Sequence, residues 1–347
     1  MNDPLQVGLV GYGLAGKVFH APLIHANLNL RLGWIVQRNG NDAAERYADV
    51  KILRSVEDLL AIAEVELVVV ATPNESHFEI ASKALQAGKH VVVDKPFTIT
   101  THDADELIAT ARKANRILSV FQNRRWDGDF LTVQQILREK RLGELAEFES
   151  RFDRFRPALK PGAWREKDLP GSGLLYDFGP HLIDQTIVLF GKPSAIYAET
   201  RRQRAGAQAD DSFQIHLQYD SVKTLLKVGS LICEPSPRFA LYGTQGSYLK
   251  YGLDPQEAAL REGKSPAQPG WGCESQAAWG TLSECAGSIQ KAPVPTLAGC
   301  YQSFYENVFR AIRGEAQLAV TAEQARDVIH LIELARQSAS ERRMLPV

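Results

Sequence analysis

The chain has 347 residues, more than one ordinary hydrophobic core holds, so about two domains are expected. Hydrophobic residues make up 44% and charged residues 23%, the balance of a globular chain rather than a disordered one. Forty basic residues against 41 acidic ones leave a net charge of −1, which excludes a broad electrostatic handle for nucleic acid or an anionic membrane.

The first 120 residues alternate short β-branched runs with amphipathic segments. The runs are "QVGLVG" (6–11), "LRLGWIV" (30–36), "VKIL" (50–53), "ELVVVATP" (66–73), "KHVVVDKP" (89–96) and "RILSVFQN" (116–123). Near-continuous apolar strands such as "LVVVA" suit parallel strands covered on both faces. Strand–helix alternation of this kind predicts a doubly wound parallel sheet. Between the strands, Asn74 or Ser76 can cap a helix that Gly88 ends, and Thr101 precedes the helical "DADELIATARKAN". No apolar run approaches the ~20 residues of a membrane span, and a strand pattern, not a signal segment, begins at Leu5.

After Asn123 the pattern changes. A helical stretch, "GDFLTVQQILREKRLG", leads into alternating segments at "LAEFESRFDRF", "SAIYAETRRQR", "DSFQIHLQY", "VKTLLKVGSLI" and "RFALYGTQGSYLKY". Period-two alternation predicts a large, mostly antiparallel sheet with one wet face. "RRQRAGAQADD" (201–211) reads as a solvated hairpin loop. Segment 254–300, rich in Gly, Pro and Ala, reads as irregular, and helices near 302–313 and 321–341 close the chain. The expected organisation is α/β: a Rossmann-type dinucleotide-binding domain over 1–123, then an α+β domain over 124–347 for substrate binding and oligomerisation. Cys233, Cys273, Cys285 and Cys300 are far apart with no CxxC, so neither zinc nor a disulfide framework is expected. Thiols in a reducing cytoplasm are the simpler reading.

"VGLVGYGLAGKVFHAP" holds Gly11, Gly13 and Gly16 in GxGxxG spacing, directly after a strand and opening a helix. Gly11 would make the tight turn, Gly13 would let backbone approach a pyrophosphate, and Gly16 would let helix and strand pack closely. The helix start at Leu14 and Ala15 then offers free N–H groups to the phosphates. A structural glycine turn is the bland alternative; the position after the first strand favours a dinucleotide. An NAD site wants an acid at the end of the second strand, and Gln37 and Arg38 stand there instead. A guanidinium complements a 2′-phosphate, so NADP is expected ahead of NAD. An exposed turn arginine is the alternative.

"ATPNESH" and "VVVDKPF" end the fourth and fifth strands, the edge where such sheets bind ligands. That places Thr72, Pro73, Asn74, His77, Asp94 and Lys95 at the cofactor side, with His77 supporting the turn after Asn74. His20 and Pro22 in the first helix suggest a kink of structural origin. In "GSGLLYDFGPHLIDQ" (171–185), Asp177, His181 and Asp184 fall within two helical turns. Pro180 suits the first turn of a helix ending near Gly191, which would put Asp177 just before it; Asp184, one turn past His181, then reads as a helix-start acid or as a support behind that histidine. Solvated polarity, a metal site and an acid/base pair all compete here. Histidine titrates in the range a base for a hydroxyl proton needs, and a carboxylate can orient it. Few further ligands are visible for a metal, so none is expected.

Taken in order, "GYGLAG", "ATPNESH", "AGKHVVVDKP" and "GSGLLYDFGPHLID" resemble the Gfo/Idh/MocA oxidoreductase family over essentially the entire chain. The segments "GLLYDFGPHLIDQTIVLFGKP" and "YGTQGSYLKYGLDPQEAAL" are similar to a bacterial branch with NADP-dependent scyllo-inositol dehydrogenases and sugar dehydrogenases. The resemblance implies a Rossmann domain, a C-terminal α/β domain on an open sheet, and a homodimer or homotetramer made through that sheet. It implies Lys95 as the active-site lysine, Asp177 as its acid and His181 as the general acid/base; Asp94 departs from the commoner glutamate. Hydride transfer between nicotinamide and a secondary alcohol or ketone of a cyclic polyol or sugar is the expected reaction. A regulatory cofactor-binding protein, or nicotinamide-assisted elimination or glycoside cleavage, is the alternative. Asn123, Arg124, Trp164 and Arg165 are further candidates for the substrate, each equally readable as packing or a surface ion pair.

Overall fold

A computed structural model describes residues 3–286 and 288–347. The chain forms two compact units. The first comprises Met1–Trp126, Gln256–Trp271 and Cys300–Asp327; the second comprises Asp127–Pro255, Gly272–Gly299 and Val328–Val347. The sequence boundary at 123/124 falls in the short turn Asn123–Trp126, where the first unit's leading segment ends.

The first unit is built on six strands, β1 (Leu5–Val10), β2 (Leu30–Val36), β3 (Lys51–Leu53), β4 (Leu67–Val70), β5 (His90–Val93) and β6 (Leu118–Val120). All pairings are parallel, in the order β3-β2-β1-β4-β5-β6. Val68, Val69 and Val70 are fully buried, as expected for a strand covered on both faces. Each such side chain contributes roughly 1.5–3 kcal/mol by leaving water. The strand order reverses between β1 and β4, so their carboxyl ends open a crevice suited to a ligand. The helices His77–Gln86 and Thr101–Ala114 have the expected ends: Gly88 takes φ +74°, and Thr100, one residue before the expected Thr101, caps by accepting from Asp103 N–H at 3.1 Å.

The second unit carries nine strands: β7 (Leu145–Arg151), β8 (Ala195–Arg201), β9 (Ser212–Gln218), β10 (Lys223–Gly229), β11 (Phe239–Gly243), β12 (Gly246–Lys250), β13 (Gly280–Ala286), β14 (Ser288–Val294) and β15 (Leu345–Pro346). Their order is β14-β13-β12-β11-β7-β10-β9-β8-β15. The sheet is antiparallel except between β7 and β10. Buried residues alternate along β8 and β9, and the helix Gly173–Phe190 packs on β9 and β10.

Two sequence expectations are corrected. Segment 254–300 is not irregular throughout: it holds the helix Gln256–Arg261 and the β13–β14 hairpin. β14 is exposed from Ser288 to Pro293, so no buried face imposes the alternation that marks a strand in sequence, and its proline is tolerated at the sheet edge. The 201–211 segment does join β8 to β9 as a hairpin, but it is not simply solvated. Arg204 is 9% exposed, and its Nε donates to Asp211 Oδ2 at 3.0 Å while Nη2 meets Glu166 Oε2 at 2.6 Å. Two carboxylates offset the cost of burying that charge.

Candidate functional site

In the first unit the glycine loop sits at the end of β1. Gly11 has φ +98°, and a Cβ there would lie 2.6 Å from the Ala71 carbonyl oxygen. A Cβ on Gly16 would lie 2.1 Å from the Gly11 carbonyl oxygen. At Gly13 a Cβ would meet nothing within 4 Å. The protein itself therefore requires glycine at 11 and 16, whereas Gly13 leaves a clear approach for a group from outside. The helix that starts at Leu14 and Ala15 widens to a π-turn over Gly16–His20, with Ala21 N–H donating to Gly16 O. Pro22 has no N–H to give, and the wider turn relieves its ring against the preceding turn. An open glycine between two closed ones, at a helix N-terminus, fits the pyrophosphate of a dinucleotide.

At the end of β2, Arg38 is exposed and Gln37 turns back on its own loop, donating from Nε2 to Asn39 O at 2.9 Å and to Asp42 Oδ1. Arg54 braces the same loop by donating from Nη1 to the Gln37 and Gly40 carbonyls, each at 2.7 Å. Sequence reasoning passed over Asp42. It pairs with Lys17 at 3.0 Å, and that hydrogen bond, with Gln37, holds its carboxyl below the ordinary value.

The ends of β4 and β5 are tied together by His77, which is fully buried. Its Nδ1 and Nε2 lie 2.9 Å from the carbonyl oxygens of Pro96 and Thr72. Burial, opposed by the charge of Asp94, keeps its pKa below the ordinary value, so a neutral ring donates to one of the two. Thr72 Oγ1 accepts from Ser76 Oγ at 2.7 Å, Pro73 precedes the turn Asn74–Ser76, and Asn74 is buried. Asp94 Oδ1 accepts from Lys95 N–H at 2.9 Å, and the peptide between Lys95 and Pro96 is cis.

His20 is more than a kink residue. Its Nδ1 is 2.6 Å from Tyr305 Oη, and its Nε2 is 3.5 Å from Asp94 Oδ1, the outer limit of a hydrogen bond. Burial, helped by the Asp94 charge, pushes the Tyr305 phenol well above its ordinary pKa. In the tautomer that turns an Nε2–H toward the Asp94 carboxylate, Nδ1 accepts from this O–H. Burial alone would raise the Asp94 carboxyl, but His20 and the Lys95 charge hold it below its ordinary value. The histidine in "GKVFHAP" was the available signal; its partner Tyr305 lies 285 residues away.

In the second unit, the helix bearing the acid/histidine cluster runs Gly173–Phe190, not from Pro180 as the sequence suggests. Pro180 lies inside it and forgoes the N–H bond to the Tyr176 carbonyl. The helix start is capped from a distance: Leu174 N–H donates to Asp210 O at 3.0 Å and Leu175 N–H to Asp210 Oδ2 at 2.8 Å. Burial pushes the Asp210 carboxyl up to about 6. Asp177 and His181 are thus both helical, four residues apart on one face. His181 is 5% exposed, with its ring centroid 6.3 Å from that of Phe152. Arg165 stacks on Trp164 at 4.5 Å and brings Nε to 3.5 Å from Asp177 Oδ1. Asp184 is not a helix-start acid; it is buried deep in the helix, 2% exposed. Among the described residues, no group of three His, Cys, Asp or Glu side chains is placed to hold a metal ion.

The remaining candidates stay in the first unit. Asn123 and Arg124 are buried, and Arg124 Nη2 donates to Glu257 Oε2 at 2.6 Å. That bond, shared with Arg261 on the same carboxylate, occupies Arg124 within its own unit.

Comparisons with known proteins find one family along both parts of the chain. Residues 5–122 match the profile described as oxidoreductase family, NAD-binding Rossmann fold, and residues 134–347 match the same family's C-terminal alpha/beta domain. The chain belongs to the Gfo/Idh/MocA oxidoreductase family. Escherichia coli K12 oxidoreductase YdgJ is 42% identical over 346 residues, 99% of each chain. The scyllo-inositol 2-dehydrogenase (NADP(+)) IolW of Bacillus subtilis 168 is 37% identical over 344 residues, covering 99% of this chain and 96% of its own. A solved structure of the Bacillus subtilis oxidoreductase yvaA matches with a TM-score of 0.96 at 36% identity, covering 99% of both chains. No helix among the described residues is long and apolar enough to cross a membrane.

Proposed function

We propose that this oxidoreductase is an NADP-dependent dehydrogenase acting on a secondary alcohol, or the corresponding ketone, of a cyclic polyol or sugar. The bound nicotinamide supplies the hydride chemistry. His181 takes the hydroxyl proton during oxidation and returns it during reduction. Asp177, steadied by Arg165, orients the imidazole and stabilises its cation. Lys95 donates to the substrate oxygen as charge develops on it, a role that follows from its place in the Asp-Lys-Pro motif. Gly11, Gly13 and Gly16 with the helix start at Leu14 and Ala15 hold the pyrophosphate, and Thr72, Pro73, Asn74, His77 and Asp94 shape the crevice beside it. The observation that carries this reading is the i, i+4 placement of Asp177 and His181, with Arg165 against the acid. Oxidation of a panel of polyols and aldoses with NADP, followed at the absorbance of the reduced cofactor, tests it; a panel including scyllo-inositol with no turnover counts against it. A cytoplasmic homodimer or homotetramer, joined through the nine-stranded sheet, completes the proposal.

NADP ahead of NAD is supported by the exposed Arg38 and by the engagement of Asp42 with Lys17, which offsets the charge of that acid toward a 2′-phosphate. NADPH should bind more tightly than NADH, and Arg38→Ala should weaken NADPH roughly 10- to 100-fold, the scale of a charge-assisted hydrogen bond. NADH affinity should hardly change. Equal affinities for the two cofactors in the unmodified protein sink the preference. Activity should also survive exhaustive EDTA treatment, because proton transfer and hydride transfer here need no Lewis acid. Loss of activity that zinc or manganese restores would return Asp177, His181 and Asp184 to the metal reading.

A further inference from the structure

Arg154 stands just beyond β7 on backbone pinned at both sides: its N–H donates to Gly229 O at 2.9 Å, and its carbonyl accepts from Ile232 N–H at 3.1 Å. Its guanidinium lies over the Phe178 ring, 4.6 Å from the centroid, and Phe178 follows Asp177 directly in the helix. The charges of Asp177 and Glu166 act on it favourably, and those of Arg156 and Arg204 unfavourably. Its charged neighbours are largely engaged. Asp177 faces Arg165, and Glu166 and Asp211 share Arg204. Arg154 has no such partner. It makes no side-chain hydrogen bond or ion pair among the described residues: its Nε is sealed from solvent without an acceptor, while Nη1 and Nη2 are unpartnered and still reachable. A half-buried guanidinium left without an acceptor is costly, and the reachable Nη groups can still take one from outside the chain.

We propose that Arg154 is a substrate-binding residue whose Nη groups donate to an oxygen of the bound polyol or sugar, beside Asp177. The inference rests on the dehydrogenase reading above and adds a group that reads the substrate rather than moves its proton. The accepting oxygen is either a hydroxyl or a carboxylate, and the guanidinium suits both.

Calorimetric titration of the full-length, NADPH-saturated protein with scyllo-inositol, D-glucose and D-glucuronate tests the assignment without requiring turnover. Arg154→Met and Arg154→Lys should each weaken the best of these ligands at least tenfold. Methionine removes the charge, while lysine keeps charge and stem but lacks the planar fork of Nη donors. NADPH affinity and melting temperature should stay near those of the unmodified protein, and with a turned-over substrate the loss should fall on KM more than on kcat. Should the methionine variant lose its packing on Phe178 and unfold, the lysine variant carries the test. Preferred binding of glucuronate identifies the oxygen as a carboxylate; preferred binding of a neutral compound identifies a hydroxyl; either supports the assignment. Unchanged ligand binding in the folded variants overturns Arg154 alone, with the dehydrogenase reading intact. No binding of any of the three to the unmodified protein overturns both.

Discussion

His181→Ala should lower turnover by about 100-fold or more while leaving NADPH affinity nearly unchanged. The expectation follows from the helix Gly173–Phe190, which holds Asp177 and His181 on one face, and from Arg165 Nε at 3.5 Å from the Asp177 carboxylate. A base that acts as the proton leaves contributes in the transition state, so its removal falls on kcat rather than on cofactor binding. Lys95→Ala should be similarly damaging, because a fixed cation at a developing alkoxide is worth most where water is excluded. Rates are best read by single-turnover kinetics beside a fluorescence titration of NADPH, with the melting temperature as a check on folding. A folded His181→Ala protein that turns over its substrate at a near-normal rate would remove histidine from the chemistry.

The second large effect separates two glycines three residues apart. Gly13→Ala should weaken NADPH at least tenfold and leave stability within about 0.5 kcal/mol, the range of a surface change. Gly16→Ala should instead destabilise the fold by roughly 2–4 kcal/mol, the scale of overpacking a site that cannot relax. The difference lies in what each new Cβ meets: nothing within 4 Å at Gly13, and the Gly11 carbonyl oxygen at 2.1 Å for Gly16. Chemical denaturation and cofactor titration of both variants distinguish the outcomes. A Gly13→Ala protein that binds NADPH as tightly as the unmodified one would mean that no phosphate approaches this backbone.

What could be read from sequence depended on whether the cause was local. The "LVVVA" and "HVVVD" runs show β4 and β5 directly, because burial on both faces writes itself into nearly every position. The GxGxxG spacing shows the loop, because the close approach is between residues only five apart. The start of the helix at Gly173 was not legible, since its cap comes from Asp210, 35 residues away from Leu175, and Pro180 supplied a misleading local start. β14 escaped for the opposite reason: its conformation comes from pairing with β13, with no buried face to impose a pattern. Arg204 looked like part of a charged loop because Glu166, its second carboxylate, lies 38 residues earlier. His20 read as structural because Tyr305 and Asp94, which give it a role, are distant in the chain.

The return of 256–271 and 300–327 to the first unit bears on how such proteins can be recombined. A chimera cut near residue 123 or 126, pairing this nucleotide-binding half with another chain's C-terminal half, does not exchange one module for another. It deletes Tyr305, the hydrogen-bond partner of His20, and with it Phe304 and the aromatic packing around Phe121. It also deletes Glu257, which neutralises the buried Arg124. The second unit is better exchanged as 127–255 together with 272–299 and 328–347, leaving the intervening segments with the unit whose core they complete.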